Sequence, residues 1–260
     1  MTILMITGIF PPDIGGPASY VPAIAQALTE RGHRVCVITL SDRLDHDDEA
    51  HGYRVIRIPR RQPRLYRMMK TVLTILRMGQ DAEVLFVNGL ALESVLANLL
   101  LNKRLVQKVV GDVAWERART FGRSDETIDA FQTTRGSLRV QLLKQLRSFW
   151  VRQSHTVFAP SRYLQNIILG WGLDERKVRV IYNAVEAVPV AAPEKHPALQ
   201  DVPADARVIV SIGRLVLWKG FDELIEVMDG IPEAQLFILG DGPRRGGLEE
   251  LARRQSCRQR

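Results

Sequence analysis

Residues Thr2–Leu40 read TILMITGIFPPDIGGPASYVPAIAQALTERGHRVCVITL, and this stretch decides the fold class. Thr2–Thr7 is a short apolar run, the pattern of a strand buried on both faces of a parallel sheet. Gly8–Gly16 is rich in Gly and Pro and predicts a loop. Pro17 suits the first turn of a helix. Val21, Ile24, Ala25 and Leu28 recur at helical spacing through Ala18–Arg31, and Gly32 supplies a stop. Arg34–Leu40 is a second apolar run. Strand, Gly-rich turn, helix and strand make a βαβ unit, so the sequence predicts an α/β fold.

The alternation continues outward from this unit. Asp42–Gly52 is polar and predicts a loop. Tyr53–Ile58 predicts a strand, Leu65–Met78 a helix, Val84–Val87 a strand, Ala91–Leu101 a helix, and Leu105–Val110 a strand running into Gly111-Asp112. Trp115–Gly136 is polar with few apolar positions and predicts an irregular, mobile segment. Leu138–Trp150 predicts a helix, Thr156–Ala159 a strand, Tyr163–Gly170 a helix, and Val178–Ile181 a strand ending at Asn183. Residues 188–205 hold Pro189, Pro193, Pro197 and Pro203 among small and polar residues, a linker composition. A second βαβ set follows: strand Arg207–Ile212, helix Phe221–Met228, strand Gln235–Leu239, and a helix to Arg254. The expectation is two Rossmann-like α/β domains in series, residues 1–187 and 206–260, the second incomplete.

The length of 260 residues suits one large domain or two smaller ones. A formal net charge of +7 favours an anionic partner: a phosphorylated substrate, an anionic membrane surface or nucleic acid. A solvated basic surface with no dedicated partner is the plainer alternative, and charge alone does not decide. Cys36 lies in an apolar run and predicts a buried strand residue, whereas Cys257 lies in a polar tail. With no support for a disulfide, a reducing, cytoplasmic compartment is expected. Thr2–Ile6 is too short, and lacks the basic leader, for a cleavable signal peptide. Val84–Leu101 is interrupted by Asn88, Glu93 and Asn98, so it predicts strand, turn and buried helix rather than a membrane span.

Three turns carry candidate chemistry. In Gly213–Gly220, GRLVLWKG, Arg214 and Lys219 sit where a strand gives way to a helix. Cations near a helix start oppose its dipole, which an anion between them would reverse. Arg would give a forked contact to a diphosphate and Lys a point charge. Two surface cations are the plainer alternative. Gly15-Gly16 opens the first helix, either for close approach of a ligand or only for a tight turn. It does not follow the Gly-x-Gly-x-x-Gly pattern of dinucleotide sites. Gly240-Asp241-Gly242-Pro243 is a second strand-to-helix turn in the same half. Arg57–Lys70, RIPRRQPRLYRMMK, carries six cations. It fits peripheral contact with a membrane surface or a solvated basic face, and no nucleic-acid motif accompanies it. The histidines and cysteines show no metal-ligand spacing, and neither a P-loop nor a Gly-x-Ser-x-Gly elbow is present.

Taken together the motifs resemble a family. FPPDIGGPASYV at Phe10–Val21, APSRYLQNIILGWGLDERKVRVIYNAVE at Ala159–Glu186, GRLVLWKGFDELI at Gly213–Ile225 and LGDGP at Leu239–Pro243 occur in the order found in retaining glycosyltransferases of family 4, of the GT-B fold. The resemblance implies two Rossmann-like domains across a cleft, with the acceptor on the N-terminal domain and a nucleoside-diphosphate-sugar donor on the C-terminal one. It implies sugar transfer to an acceptor hydroxyl of a glycan, a lipid-linked glycan or a small molecule, in polysaccharide, glycolipid or glycoconjugate synthesis. It implies no metal and no further cofactor, and no nucleic acid as partner. Arg214 and Lys219 match the basic pair on the donor diphosphate, and Gly15 and Gly16 the loop over the reacting region. Asn183, Gly213, Gly240 and Gly242 complete the candidate substrate contacts.

Two departures follow from the resemblance. Gly111 stands where many members have a His, with Asp112 next to it. Asp112 is therefore a candidate for the reaction centre, binding a sugar hydroxyl, or only a cap for the next segment. The family's paired glutamates lie beyond Arg260. The expectation is a truncated enzyme chain, and the alternative is a non-catalytic fragment or binding subunit. A cytoplasmic location, at the inner face of the cell membrane, is expected with either.

Overall fold

The structure, a computed structural model, describes residues 1–184, 202–203 and 206–255. The chain divides into two compact units, Met1–Ala118 with Arg123–Asn183, and Arg119–Gly122 with Ala184–Arg260. Apart from residues 202 and 203, the expected linker lies outside the described residues, as does Cys257.

The strands of the first unit are β1 (Thr2–Thr7), β2 (Arg34–Ser41), β3 (Arg54–Pro59), β4 (Val84–Asn88), β5 (Arg104–Lys108), β6 (Thr156–Ala159) and β7 (Val178–Val180). They form one parallel sheet in the order β3-β2-β1-β4-β5-β6-β7. Its core splits by strand alternation. Ile3 and Met5 pack with Val21 and Ala25 of α1 (Gly16–Glu30). Leu4 and Ile6 belong to a larger cluster containing Ile75 of α2 (Arg64–Gly79), Val95 of α3 (Ala91–Leu101) and Ile168 of α7 (Arg162–Leu169). Both faces of β1 are buried, which is why it reads as an unbroken apolar run. Cys36 of β2 is half-buried rather than buried, and desolvation pushes its thiol pKa up.

Trp115–Gly136 is not irregular. It holds α4 (Val113–Thr120) and α5 (Ile128–Thr133), followed by α6 (Leu138–Arg152). Ala114, Ala118, Phe131 and Val140 form a small core of their own. Ala114 and Ala118 share a helix face at i,i+4, but methyl groups carry too little hydropathy to show a period. The Thr127 hydroxyl accepts from the Ala130 N–H and the Ser137 hydroxyl from the Val140 N–H, capping α5 and α6.

In the second unit β8 (Arg207–Ile212) pairs in parallel with β9 (Ala234–Leu239). Leu236 and Ile238 face a core of Leu215, Phe221, Ile225 and Leu248, supplied in part by α8 (Phe221–Val227) and α9 (Arg245–Arg254). On the opposite face of β8, Val208, Val210 and Ile212 are 42%, 51% and 77% exposed.

Leu85 is fully buried in the middle of the first sheet. Leu85→Ala is expected to cost about 2–5 kcal/mol in denaturant unfolding, while Val210→Ser changes stability by less than about 0.5 kcal/mol. Similar losses for the two would contradict this assignment of core and surface.

Candidate functional site

In the first unit the sheet order reverses at β1, whose neighbours are β2 and β4. Open α/β sheets bind ligands outside the carboxyl ends of the strands at such a point. The loop after β1 is held firmly there. Gly15 is the N-cap of α1 with φ 151°, and a Cβ on it would stand 2.8 Å from Ile9 Cδ1. Gly16 begins the helix and has open space around it. Gly89, after β4, has φ 122°, and a Cβ on it would meet the Gly8 nitrogen at 2.9 Å. Only glycine lets these two strand ends come so close.

The basic run after β3 behaves differently from expectation. Arg57 turns inward: it donates to the Pro11 carbonyl at 2.7 Å and forks onto Asp48. Arg60 donates to the Leu40 carbonyl at 2.9 Å and pairs with Asp13 and Asp42. These two cations therefore fasten the Gly8–Gly16 loop instead of lying free for a membrane or nucleic acid. Arg64, Arg67 and Lys70 lie on α2, together with exposed Leu65, Tyr66, Met69 and Leu73.

At the end of β5, Lys108 is 5% exposed. Its ammonium donates to Asn183 Oδ1 at 2.7 Å and lies 3.0 Å from the centroid of the Tyr20 ring. Burial pushes its pKa down to about 8. Asn183, a candidate substrate contact, is thus the acceptor for Lys108. Neither Lys108 nor Tyr20 stands out in the sequence, because nothing local signals a buried amine at a strand end.

Asp112 lies where the sequence places it, after β5, but it is fully buried. Its Oδ1 accepts from the Ala114 and Trp115 N–H groups at 2.9 and 3.3 Å. Its Oδ2 accepts from Gln132 at 2.9 Å and forms an ion pair with Arg147. Arg147 in turn lies 4.1 Å from the Trp171 ring centroid. With both oxygens engaged by protein donors, Asp112 caps α4 and ties it to α5 and α6. Of the two roles the sequence leaves open for Asp112, these contacts are those of the cap. Beside it, the Glu116 Oε1 lies 2.6 Å from where a Cβ on Gly111 would stand.

In the second unit the two glycine turns are built against each other. The Gly213 N–H donates to Leu239 O at 3.0 Å, Leu215 N–H to Asp241 O at 3.0 Å, and Arg244 N–H to Leu215 O at 3.1 Å. A Cβ on Gly240 would fall 1.9 Å from Gly213 O, and one on Gly242 would fall 2.4 Å from Leu215 O. Gly240 and Gly242 are therefore required by the backbone of the neighbouring turn. That turn presents Arg214 and Lys219 as exposed side chains. Lys219 closes a 3-10 turn, Leu217–Lys219, and Gly220 at φ 71° leads into α8. Among the described residues, neither cation is engaged in an ion pair. Nor does any group of three His, Cys, Asp or Glu residues among them have metal-binding geometry.

The profile of Glycosyltransferase Family 4 matches residues 14–187, more than half of the chain. The chain belongs to glycosyltransferase family 4. The profile of Glycosyl transferases group 1 matches residues 194–258. The gpi3 subunit of phosphatidylinositol N-acetylglucosaminyltransferase from Schizosaccharomyces pombe is 25% identical over 264 residues, covering 95% of this chain and 52% of the relative. The lipopolysaccharide core biosynthesis glycosyltransferase LpsE of Rhizobium meliloti is 44% identical over 84 residues, covering 32% of this chain and 23% of LpsE. The family 4 chain thus spans about half to two thirds of the length of the curated relatives it matches from end to end. The crystal structure of Anabaena HepE with UDP and glucose matches at TM-score 0.68 and 17% identity, over 99% of this chain and 67% of HepE. A glycosyltransferase from Rickettsia africae matches at TM-score 0.58 and 17% identity, over 97% of this chain and 65% of the other. These likenesses show the fold, an α/β fold of the GT-B type.

The lowered pKa of Lys108 makes a prediction about stability. Between about 8 and the usual 10.5 the unfolded chain binds a proton there that the folded chain does not. Stability therefore rises with pH through this window. In denaturant titrations, the stability of the native chain relative to Lys108→Met is expected to climb as pH increases across it. A difference independent of pH would contradict the assignment.

Proposed function

We propose that this chain serves transfer of a sugar from a nucleoside-diphosphate sugar to an acceptor hydroxyl, in polysaccharide, glycolipid or other glycoconjugate synthesis. The observation carrying this reading is the turn from β8 to α8. Its backbone is fixed by the Gly240–Gly242 turn, and it offers Arg214 and Lys219 to solvent without ion-pair partners among the described residues. In the reaction the bond from the sugar's anomeric carbon to the diphosphate breaks. The acceptor oxygen forms the new bond and gives up its proton. The nucleoside diphosphate leaves with the electron pair, and the two cations offset the charge that builds on it. Gly213, Gly240 and Gly242 let the donor approach the backbone. Retention of configuration and independence of a metal belong to this reading through family membership. The acceptor is assigned to the carboxyl edge of the first sheet, where the Gly15-Gly16 loop and Lys108–Asn183 lie.

UDP, the nucleotide in the HepE structure, is the first probe. Arg214→Ala and Lys219→Ala are each expected to weaken UDP binding and to lower turnover about 10²–10³-fold. UDP binding indifferent to both substitutions would refute the reading. The second reading is a non-catalytic binding chain, favoured by the uncovered Val208, Val210 and Ile212 face. It predicts UDP binding through Arg214 and Lys219 with no turnover of UDP-sugars by the native chain.

Peripheral membrane contact is part of the proposal, moved from the whole basic run to α2. Exposed Leu65, Tyr66, Met69 and Leu73 lie beside Lys70 and Arg77, an interfacial pattern. Among the described residues no helix is long and apolar enough to cross a membrane. Leu65→Ser/Leu73→Ser is expected to reduce co-sedimentation with vesicles containing phosphatidylglycerol several-fold. Unchanged sedimentation would remove α2 from the contact.

A further inference from the structure

A cavity of about 400 Å³ opens on the carboxyl edge of the first sheet, between the ends of β4 and β5 and the start of α4. Its lining includes Arg64, Arg67, Lys108, Arg117 and Arg147 against the two carboxylates Glu93 and Glu116. Three of the cations have partners inside the fold. Arg147 pairs with Asp112, Arg67 donates to the Arg60 carbonyl at 2.6 Å, and Lys108 donates to Asn183. Arg64 and Arg117 make no ion pair among the described residues.

Arg117, on α4, is half-buried. Burial pushes its pKa down, the Arg64 charge pushes it down further, and Glu93 and Glu116 offset this only in part. Arg64, exposed on α2, and half-buried Arg117 thus line one cavity from separate helices, and the charge of one bears on the other. Like charges facing one cavity favour an anion between them. Arginine forks match the oxygen geometry of phosphate.

We propose that this pocket holds a phosphoryl group of the acceptor, gripped by Arg64 and Arg117. The inference rests on assigning the acceptor to the first unit. The acceptor class is then a phosphorylated hydroxyl compound, and the phosphate is borne either by a lipid headgroup or by a soluble molecule. The neighbouring α2 supplies Arg64 to the pocket and exposes Leu65, Tyr66, Met69 and Leu73.

The test uses the full chain carrying Arg214→Ala/Lys219→Ala, so that the second unit's turn contributes no phosphate site. The probes are glycerol 3-phosphate and phosphatidylcholine vesicles with added phosphatidic acid, which carries the same group. With the soluble probe, Arg117→Met is expected to weaken binding at least tenfold, Arg117→Lys less, and Arg139→Gln on exposed α6 surface not at all, with unchanged circular dichroism in each. If Arg117→Met also lowers retention on phosphatidic acid vesicles, the source is a lipid. If only the soluble probe responds, the source is a soluble phosphate. Binding of both probes that ignores Arg117→Met, or binding of neither, overturns the inference. The reading of the chain as a glycosyltransferase fails separately, if the native chain's UDP binding ignores Arg214 and Lys219.

Discussion

The placement of β1 between β2 and β4 is the constraint from which the first unit follows. A strand flanked on both sides and buried on both faces must be apolar throughout, and Thr2–Thr7 is almost that. Chain leaving β1 turns one way through α1, and chain returning through α2 enters β4 on the other side. The two strand ends meet closely enough that Gly89 lies against the Gly8 backbone. Arg57 and Arg60 then fasten the loop after β1 to the end of β3. The loop, the Lys108–Asn183 contact and the arginine-lined cavity all lie at the carboxyl ends of these parallel strands.

The second unit depends on a different close approach. Its sheet has two strands among the described residues, so its turns cannot lean on a broad sheet. They lean on each other instead, through carbonyl and amide contacts between Gly213–Leu215 and Leu239–Arg244. Gly240 and Gly242 are glycines for that reason first, and any access they give a ligand follows from it. A turn locked in this way can hold two exposed cations in place outside any ion pair among the described residues, which is the condition for meeting a diphosphate rather than an internal partner.

Elements with strong apolar period were legible from the residues alone. Ala91–Leu101, Thr156–Ala159 and Arg207–Ile212 have the bounds read from the sequence, because each is an apolar run bounded by polar or turn residues. α4 and α5 were not legible, since Ala114 and Ala118 bury a helix face without raising its hydropathy. The basic run Arg57–Lys70 shows the same limit for charge. Its composition reveals six cations, but only the fold brings Asp48 and Asp13 to Arg57 and Arg60. Asp112 was found by position with two roles open, and its partners Arg147 and Gln132 could not be read locally because they lie on α6 and α5. Lys108 and Arg117 carried no local signal at all. Their importance comes from burial at a strand end and from charges that separate helices bring to one cavity, neither of which spacing encodes.

The central claim is a division of labour, with nucleotide recognition in the second unit and acceptor recognition in the first. Amide NMR of the isotope-labelled chain during a UDP titration tests it most directly. Shifts concentrated at Gly213, Arg214, Lys219, Gly220, Gly240 and Gly242, with the amides of Gly89, Lys108 and Arg117 unmoved, are the predicted result. Shifts concentrated at Gly89, Lys108 and Arg117, with the Gly213–Gly220 turn silent, would contradict it.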